Sequence, residues 1–542
     1  MNVIGRKLAC VMATTLVVCL ACGCGERTAG KKSNDPASME GLGATIGSLA
    51  RLMSPDAIKV EGYGLVSGLK GTGSSECPPR IRAYLGRYIR RQLPSGGTLD
   101  VEKYLNRTDT AVVFVEGVMP AVGSESQYFD VLVTALPGTQ TTSLEGGWLF
   151  ETELKIAGSF GVTTPILADV KGPIFTDKIS NVRANDRIGH IMAGGKALRE
   201  HKIVVVLGRP DFATSSVIRD RLNGRFGANA ARAVESDRIE LTVPAKYIGR
   251  SQRFAAIVSA TYLSQDPAID EKRIAAFVER LAGLQDKYAS EIALEAIGNK
   301  SLDKLSVLLT SSDERVRFHA ARCMLNLRSD AGLPALREIA LDKNSTLRIE
   351  ALLAITAAAA HNDAVAISRL LLRDGNFSIR LAAYEQLRKL DDIAVLQEQV
   401  AGNFYLERIP QTDKKVIYVT RTGQPRVVLF GAPITCRGNI FLGSSEGDIT
   451  INALSGAEYV TIIRRHPKRP EVITRLKSSF EVGDIVRALC DEPPKNDEPQ
   501  RGGLGVSYAD AIVLLKEMCD KGAVAAEFRA GPMPNFGLNI KK

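Results

Sequence analysis

The stretch best placed to do chemistry is VEGYGLVSGLKGTGS, residues 60 to 74, in which Gly62, Gly64, Gly68, Gly71 and Gly73 surround Lys70. Glycine-rich turns cradle phosphates because their backbone N–H groups come close and a lysine reaches the outer oxygens. The spacing argues against that here. A phosphate loop needs Gly-Lys-Ser/Thr, whereas Gly71 follows Lys70. A dinucleotide turn needs GxGxxG between a strand and a helix; Gly68 falls one residue late, and no helical pattern follows directly. The glycines read instead as geometry, permitting positive φ and close backbone approach. Tyr63, Leu65, Val66 and Leu69 supply apolar anchors.

Other reactive groups are scattered. His190, His201, His319, His361 and His466 form no HExxH and no pair at metal-ligand spacing. SLDK, residues 301 to 304, matches SxxK without its SDN and KTG companions, and no GxSxG elbow occurs. Cys77, Cys323, Cys436, Cys490 and Cys519 show no CxxC spacing. No enzyme, metal or cofactor is expected. One covalent modification is expected. Arg6 and Lys7 precede an apolar run from Leu8 to Ala21, and the exit reads LVVCLACGCGE. This resembles a bacterial lipoprotein signal, with Cys24 as the acylated residue or Cys22 in its place; a plain cleaved signal remains open. Residues 25–40 are polar, as a tether is. Export implies an oxidising compartment, where a disulfide among Cys436, Cys490 and Cys519 is open. Export also disfavours nucleic acid and leaves membrane contact to a lipid anchor alone.

The elements that must carry these residues fall into distinct textures. A length of 542 residues corresponds to about three or four domains. From 41 to about 265, short strands alternate with turns and one or two helices. VVFVEGVMP (112–120) and QYFDVLVTAL (127–136) are β-branched runs, and Phe129, Val131 and Val133 alternate with Asp130 and Thr134 as on a sheet with one solvated face. HKIVVVLGRPDF ends a strand. DFATSSVIRDRLNGRFG predicts a helix through Ile218, Leu222 and Phe226, stopped by Gly227. DRIELTVP is a further strand. Two basic clusters stand out against a net charge of +10. PPRIRAYLGRYIRRQL (78–93) predicts a helix with Arg80, Arg87 and Arg91 near one side, and RRHPKRP (464–470) a loop. Exposed arginines suit carboxylate or phosphate partners, but a solvated surface is the first reading of them.

Near Asp270 the chain becomes rich in Ala, Leu and Arg, and it repeats. DERVRFHAA begins at Asp313, NSTLRIEAL at Asn344 and NFSIRLAAY at Asn376. Each copy carries an arginine four positions on (Arg317, Arg348, Arg380) and an alanine three later (Ala320, Ala351, Ala383). This resembles HEAT-type repeats, in which Asp or Asn caps the second helix, the arginine ties neighbouring units and the alanines permit close packing. After about 405, KKVIYVTRTGQPRVVLFG predicts a hairpin across Thr422-Gly423, and GDITINA a strand. GVSYADAIVLLKEMCDKGAV predicts a helix capped by Ser507 with Asp510, buried along Ile512, Leu515 and Cys519 and ended by Gly522.

In order, these pieces resemble the flagellar P-ring protein family of bacteria. VEGYGLVSGLKGTGS resembles its GYGLV-x-GL-x-GTG signature, and SLEGGWLFETELKIAG (143–158), with Gly146 and Gly147, its SLRGGTLL-x-TPLKG element. PDFATSSVIRDRLNGRFG matches its helix; ELTVP and YIGRSQRFAAIVSATYLS match strands that follow. RTGQPRVVLFG, DIVRALCDE and GVSYADAIVLLKEMCDKGAVAAEF resemble its closing elements. The matches are collinear and leave out 1–40 and roughly 265–405.

The expected architecture is multidomain α+β: a signal (1–24), a linker (25–40), a P-ring-like region (41–268), HEAT-like repeats (269–400), a second P-ring-like region (401–535) and a tail (536–542). The resemblance implies a non-enzymatic protein forming a homo-oligomeric periplasmic ring around the flagellar rod, as a bushing. It implies the L-ring protein, the distal rod and an assembly chaperone as partners. Acylation and the repeats depart from the family, and the repeats are expected to project outward and bind an envelope protein. The alternative is a non-flagellar envelope lipoprotein scaffold that reuses P-ring domains; an enzyme acting on cell wall is a distant third.

Overall fold

The computed structural model describes residues 41–53, 57–92, 101–120, 127–159, 164–180, 185–200, 202–444, 447–466, 469–493 and 502–537. Cys22, Cys24, the signal, the tether and His201 lie outside the described residues.

The chain begins with α1 (Ile46–Leu49), β1 (Ala50–Met53), β2 (Ile58–Ser67), α2 (Pro79–Gln92), α3 (Val101–Leu105), β3 (Ala111–Met119), β4 (Tyr128–Ala135), β5 (Trp148–Ile156), β6 (Ala168–Pro173), β7 (Ile188–Ala197) and β8 (Ile203–Leu207). Strands β2 to β7 close into a barrel in the order β2-β3-β4-β7-β6-β5. So small a barrel is filled by its own side chains. Val60, Val66, Val113, Val115, Val131, Val133, Leu149, Leu154 and Ile191 form that core. On β4, Phe129, Val131 and Val133 are buried as the alternation predicts, but the Asp130 face is covered rather than solvated: it meets the C-terminal region.

β8 leaves the barrel for a second sheet, ordered β1-β8-β10-β9, completed by α4 (Phe212–Phe226), β9 (Ala231–Ala233), β10 (Arg238–Leu241) and α5 (Ser251–Ala260). Asp211 caps α4 through the N–H groups of Ala213 and Thr214, and Gly227, at φ +107°, ends it. The stretch YIGRSQRFAAIVSATYLS, expected as strand, is instead a short 3-10 turn followed by α5. Phe254, Ile257 and Val258 recur at helical spacing and face the core, so helical period outweighs β-branching there.

The repeat segment comprises α6 (Pro267–Ala282), α7 (Lys287–Ile297), α8 (Leu302–Leu308), α9 (Glu314–Asn326), α10 (Leu333–Leu341), α11 (Arg348–Ala358), α12 (His361–Leu371) and α13 (Phe377–Lys389). The helices pack in pairs, and each pair stacks on the next through its second helix. The segment does not project as a separate appendage. Ile292 and Ala296 of α7 complete the core beneath α5.

The remaining elements are β11 (Leu396–Val400), β12 (Phe404–Ile409), β13 (Val416–Val419), β14 (Arg426–Phe430), β15 (Ile440–Gly443), β16 (Ile449–Ala453), β17 (Val460–His466), β18 (Arg469–Ser478), α14 (Val482–Cys490), α15 (Tyr508–Asp520) and β19 (Glu527–Ala530). They form two sheets, β11-β12-β14-β13-β19 and β15-β16-β17-β18. The central strands of the first are buried on both faces. Val416, Tyr418, Val428 and Phe430 pack on α11 to α13, while Ile417, Val419, Val427 and Leu429 face α14 and α15. That double burial explains the unbroken apolar run VVLF within β14. RRHPKRP, expected as a loop, is strand over its described residues: Arg464 to His466 end β17 and Arg469 begins β18, since the ladder pairing continues to His466 and Arg469. Cys77, Cys323, Cys436, Cys490 and Cys519 are all unpaired thiols. The chain is α+β, strand-rich at both ends with helical repeats between.

Candidate assembly surfaces

The five signature glycines divide their labour. Gly62 and Gly64 lie inside β2, where neighbouring strands crowd them: a Cβ at Gly62 would sit 2.5 Å from the Glu153 carbonyl oxygen, and one at Gly64 2.5 Å from Thr152 Oγ1. Tyr63 between them points the other way and meets the Phe114 ring at 5.1 Å. Gly68 and Gly71 have φ of +82° and +85°, the left-handed region that glycine enters without penalty. At Gly73 a Cβ would fall 2.1 Å from the Thr110 carbonyl oxygen. The N–H groups of Leu69, Gly73 and Ser74 donate to the carbonyls of Asp109, Thr108 and Thr110 at 3.1, 2.9 and 2.9 Å. They are therefore spent within the protein and do not converge on an anion.

The second glycine pair joins the same corner. Gly146, at φ +69°, turns the chain, and Gly147 lets β5 press on Val66, whose Cγ1 would lie 2.5 Å from an added Cβ. Thr72 Oγ1 donates to the Ser143 carbonyl at 2.9 Å, and the Thr142 N–H to the Thr72 carbonyl at 2.8 Å. Two motifs some 70 residues apart in sequence thus build one rim of the barrel. Beside it lies α2, which buries Leu85 on Leu65, Val112 and Leu136. It exposes Arg80, Arg87, Arg90 and Arg91.

The barrel is also fastened to the C-terminal region. The β13–β14 turn inserts against β4 and β7. Asp130 accepts from the Gly423 N–H at 2.9 Å and from Thr422 Oγ1 at 2.5 Å. The Arg421 guanidinium lies 3.0 Å from Asp177. His190 donates from Nε2 to the Arg421 carbonyl at 2.8 Å; burial holds its pKa below the usual 6.5, so the ring is a neutral donor near pH 7. The sequence marked the Thr422-Gly423 turn but gave no sign of its target, which requires the barrel to place Asp130, Asp177 and His190 together.

In the repeats, Asp313 accepts from the Arg315 N–H and Asn376 from the Ser378 N–H, capping α9 and α13. Asn344 caps nothing: α11 begins only at Arg348, after a turn set by Asp342 and Ser345. The arginines mostly bind within their own unit. Arg317 donates to the Ser311 and Ser312 carbonyls, and Arg380 to those of Asp374 and Gly375, each closing the loop before its own helix. Arg348 alone among the three reaches the next unit, pairing with Asp374 at 2.5 Å. Ala320, Ala351 and Ala383 are fully buried between helices.

Two ionic networks join the repeats to their neighbours, and neither was legible in the sequence. Glu291 of α7, fully buried, holds Arg253 of α5 at 2.5 Å and Arg322 and His319 of α9 at 2.6 Å. Burial opposes its charge, but Arg253 and Arg322 overcome it and hold the carboxyl well below its ordinary range. At the far end, Glu407 of β12 accepts from Tyr384 Oη and from Arg388 Nε, the latter at 2.8 Å.

The SLDK residues form no nucleophilic pair: Ser301 Oγ is buried and donates to the Gly298 carbonyl at 2.8 Å, while Lys304 is exposed. Among the described residues no His/Cys/Asp/Glu group could hold a metal ion, and no helix is long and apolar enough to cross a membrane.

Comparison with known proteins agrees with this anatomy. Residues 45–272 match the family model described as Flagellar P-ring protein, and residues 274–356 the model for HEAT repeats. A flagellar P-ring protein of Syntrophotalea carbinolica is 29% identical over 255 residues, covering 44% of this chain and 62% of that protein. One from Nitrosomonas europaea is 28% identical over 244 residues (42% and 60%), and one from Anaeromyxobacter sp. 30% over 220 residues (37% and 55%). The chain thus spans less than two thirds of the length of these relatives. From the glycine signature to α5 it resembles the flagellar P-ring proteins, and HEAT repeats follow directly.

Proposed function

We propose that the protein is a structural subunit of the flagellar basal body, forming a periplasmic ring around the rod that serves as its bushing. The observation that carries this reading is the P-ring match over 45–272, together with the shared rim built by Gly68, Gly71, Gly146 and Gly147. In a ring each subunit meets its neighbours through two different surfaces. The glycine rim and the arginine face of α2 are the surfaces offered to a neighbour or to the rod. The L-ring protein and an assembly chaperone are further partners, and the repeats bind a separate envelope protein. Acylation at Cys24, or Cys22, holds the ring at the outer membrane. The C-terminal stretches beyond 400 belong to the same ring-forming unit, with the repeats inserted between; the fully buried strands β13 and β14, whose turn reaches the barrel, support that reading.

Electron microscopy of basal bodies from a strain lacking the gene tests this: the P ring should be missing and should return on complementation. Intact rings in the deleted strain would reject it. A scaffold outside the flagellum is the second reading, favoured by the family match ending at residue 272; intact rings and unchanged motility in the deleted strain, together with an envelope defect, would favour it.

A further inference from the structure

The sheet β15-β16-β17-β18 ends in two open edges. Among the described residues, no backbone hydrogen bond reaches β15 or β18 from outside their own sheet. An edge strand presents a row of unpaired N–H and C=O groups, a template for a further strand. β18 is long, and its residues 471–475 are exposed on both faces. β15 carries none of the charges or prolines that protect a solvent-facing edge. A Cβ added at Gly443 would find only the Ile449 carbonyl oxygen, at 4.0 Å.

The two edges match in direction, hydrogen bonding and side chains. All three pairings within the sheet are antiparallel, so β15 and β18 run in opposite directions. A second copy in the same orientation therefore brings its β15 antiparallel to β18, and the alternation of the sheet continues across the joint. Ser444 donates its N–H to the Ile449 carbonyl, and Arg465 its N–H to that of Asp448. Backbone groups alternate sides along a strand, so Phe441 and Gly443 turn theirs outward on β15, and Ile473 and Arg475 outward on β18. Phe441 is 76% exposed, Ile473 58% and Val472 43%. Phe441 lies in register with Lys477 across the sheet. Ile473, four residues from Lys477, stands on the same face as Phe441.

We propose that β18 of one copy pairs with β15 of the next, with Ile473 opposite Phe441 and Val472 opposite Leu442. This register joins the outward N–H and C=O groups of both strands and covers the most exposed apolar residue of each edge. Across the four residues of β15 no like charges oppose. Because the joint uses two different edges of one sheet, it is head-to-tail, the kind that closes into a ring. This deepens the reading of the protein as a ring subunit and rests on it.

The test places Phe441→Cys and Ile473→Cys together in the full chain and oxidises basal bodies that carry it with diamide. In a hydrogen-bonded antiparallel pair the Cα atoms lie about 5.5 Å apart, within reach of a disulfide. Non-reducing electrophoresis should show a ladder of dimer, trimer and longer species for the double variant and no such ladder for either single variant. Ile473→Pro removes the outward N–H and leaves the β17 pairing intact, so the melting temperature should hold while rings are lost. Rings seen by electron microscopy without a ladder overturn this joint and leave the ring reading standing. Dimers from Ile473→Cys alone, or rings from folded Ile473→Pro, overturn it as well. Absence of the protein from basal bodies rejects the ring reading and the joint together.

Discussion

The carboxylate of Asp130 on β4 receives the N–H of Gly423, 293 residues further along the chain, with both oxygens at 2.9 Å. It also receives Thr422 Oγ1 at 2.5 Å and the Ala193 N–H at 2.7 Å. One side chain on the outside of the barrel therefore terminates donors from its own barrel and from the C-terminal sheet. These bonds fasten the C-terminal hairpin to the barrel, since withdrawing it would exchange bonds to a carboxylate for bonds to water.

Asp130→Ala is expected to destabilise the protein by roughly 2–3 kcal/mol, since hydrogen bonds to a charged group are lost and partly buried donors are stranded. Urea unfolding followed by circular dichroism measures it. A change under about 0.5 kcal/mol would mean that the hairpin contact is incidental.

The glycine signature makes a graded prediction. Gly71→Ala meets no atom within 4 Å and suffers only from its φ of +85°, a cost of about 1–2 kcal/mol. Gly73→Ala drives a Cβ to 2.1 Å from the Thr110 carbonyl oxygen and should cost about 3 kcal/mol or more, because backbone must move. Melting temperatures should therefore fall in the order wild type, Gly71→Ala, Gly73→Ala. Gly68→Val, at φ +82°, should impair folding or assembly and leave no ligand-binding defect to find.

His190 gives a pH dependence with a definite sign. Its pKa in the folded protein is depressed by burial from the usual 6.5, so the unfolded chain takes up a proton first as pH falls. The stability it supports is complete above pH 6.5 and declines as pH drops from there towards the folded value, by at most about 1.4 kcal/mol per pH unit. Urea midpoints between pH 7.5 and 5.5 should fall less for His190→Gln than for wild type. Identical slopes would show that another group carries the dependence.

Glu291 should be the costliest surface-distant residue to lose in the repeats. Glu291→Ala takes from buried Arg253 one of its two carboxylates and from part-buried Arg322 the carboxylate the two share, which costs about 3 kcal/mol, the lower end for breaking a buried pair. Protease digestion should then cut between α5 and α9 before the barrel. Wild-type resistance would refute the view that this network couples the repeats to the α5 unit.

The caps separate repeat copies that look alike in sequence. Asp313→Ala removes the acceptor for the Arg315 N–H and should cost about 1 kcal/mol. Asn344→Ala should cost under about 0.5 kcal/mol, because its side chain caps no helix. Equal losses in urea unfolding would contradict the difference between the two turns.

Local pattern was enough for much of this protein. β-Branched runs and period-two alternation placed β3 and β4, two of the six barrel strands, helical spacing with Gly227 placed α4, and the recurring Asp/Asn, Arg and Ala positions revealed the repeats, because each of these signals lies within one element. The order of the glycine motifs sufficed for the resemblance to P-ring proteins. Period also misled where neighbours decide. Asn344 has the sequence of a cap but sits in a longer turn, and YIGRSQRFAAIVSATYLS reads as strand until α5 buries Phe254, Ile257 and Val258 together. What only the tertiary structure decided is how distant charges pair: Asp130 with Gly423, Glu291 with Arg253, Glu407 with Tyr384. These contacts span tens to hundreds of residues and carry no periodic signature, so they arise only when separate cores bring their elements together.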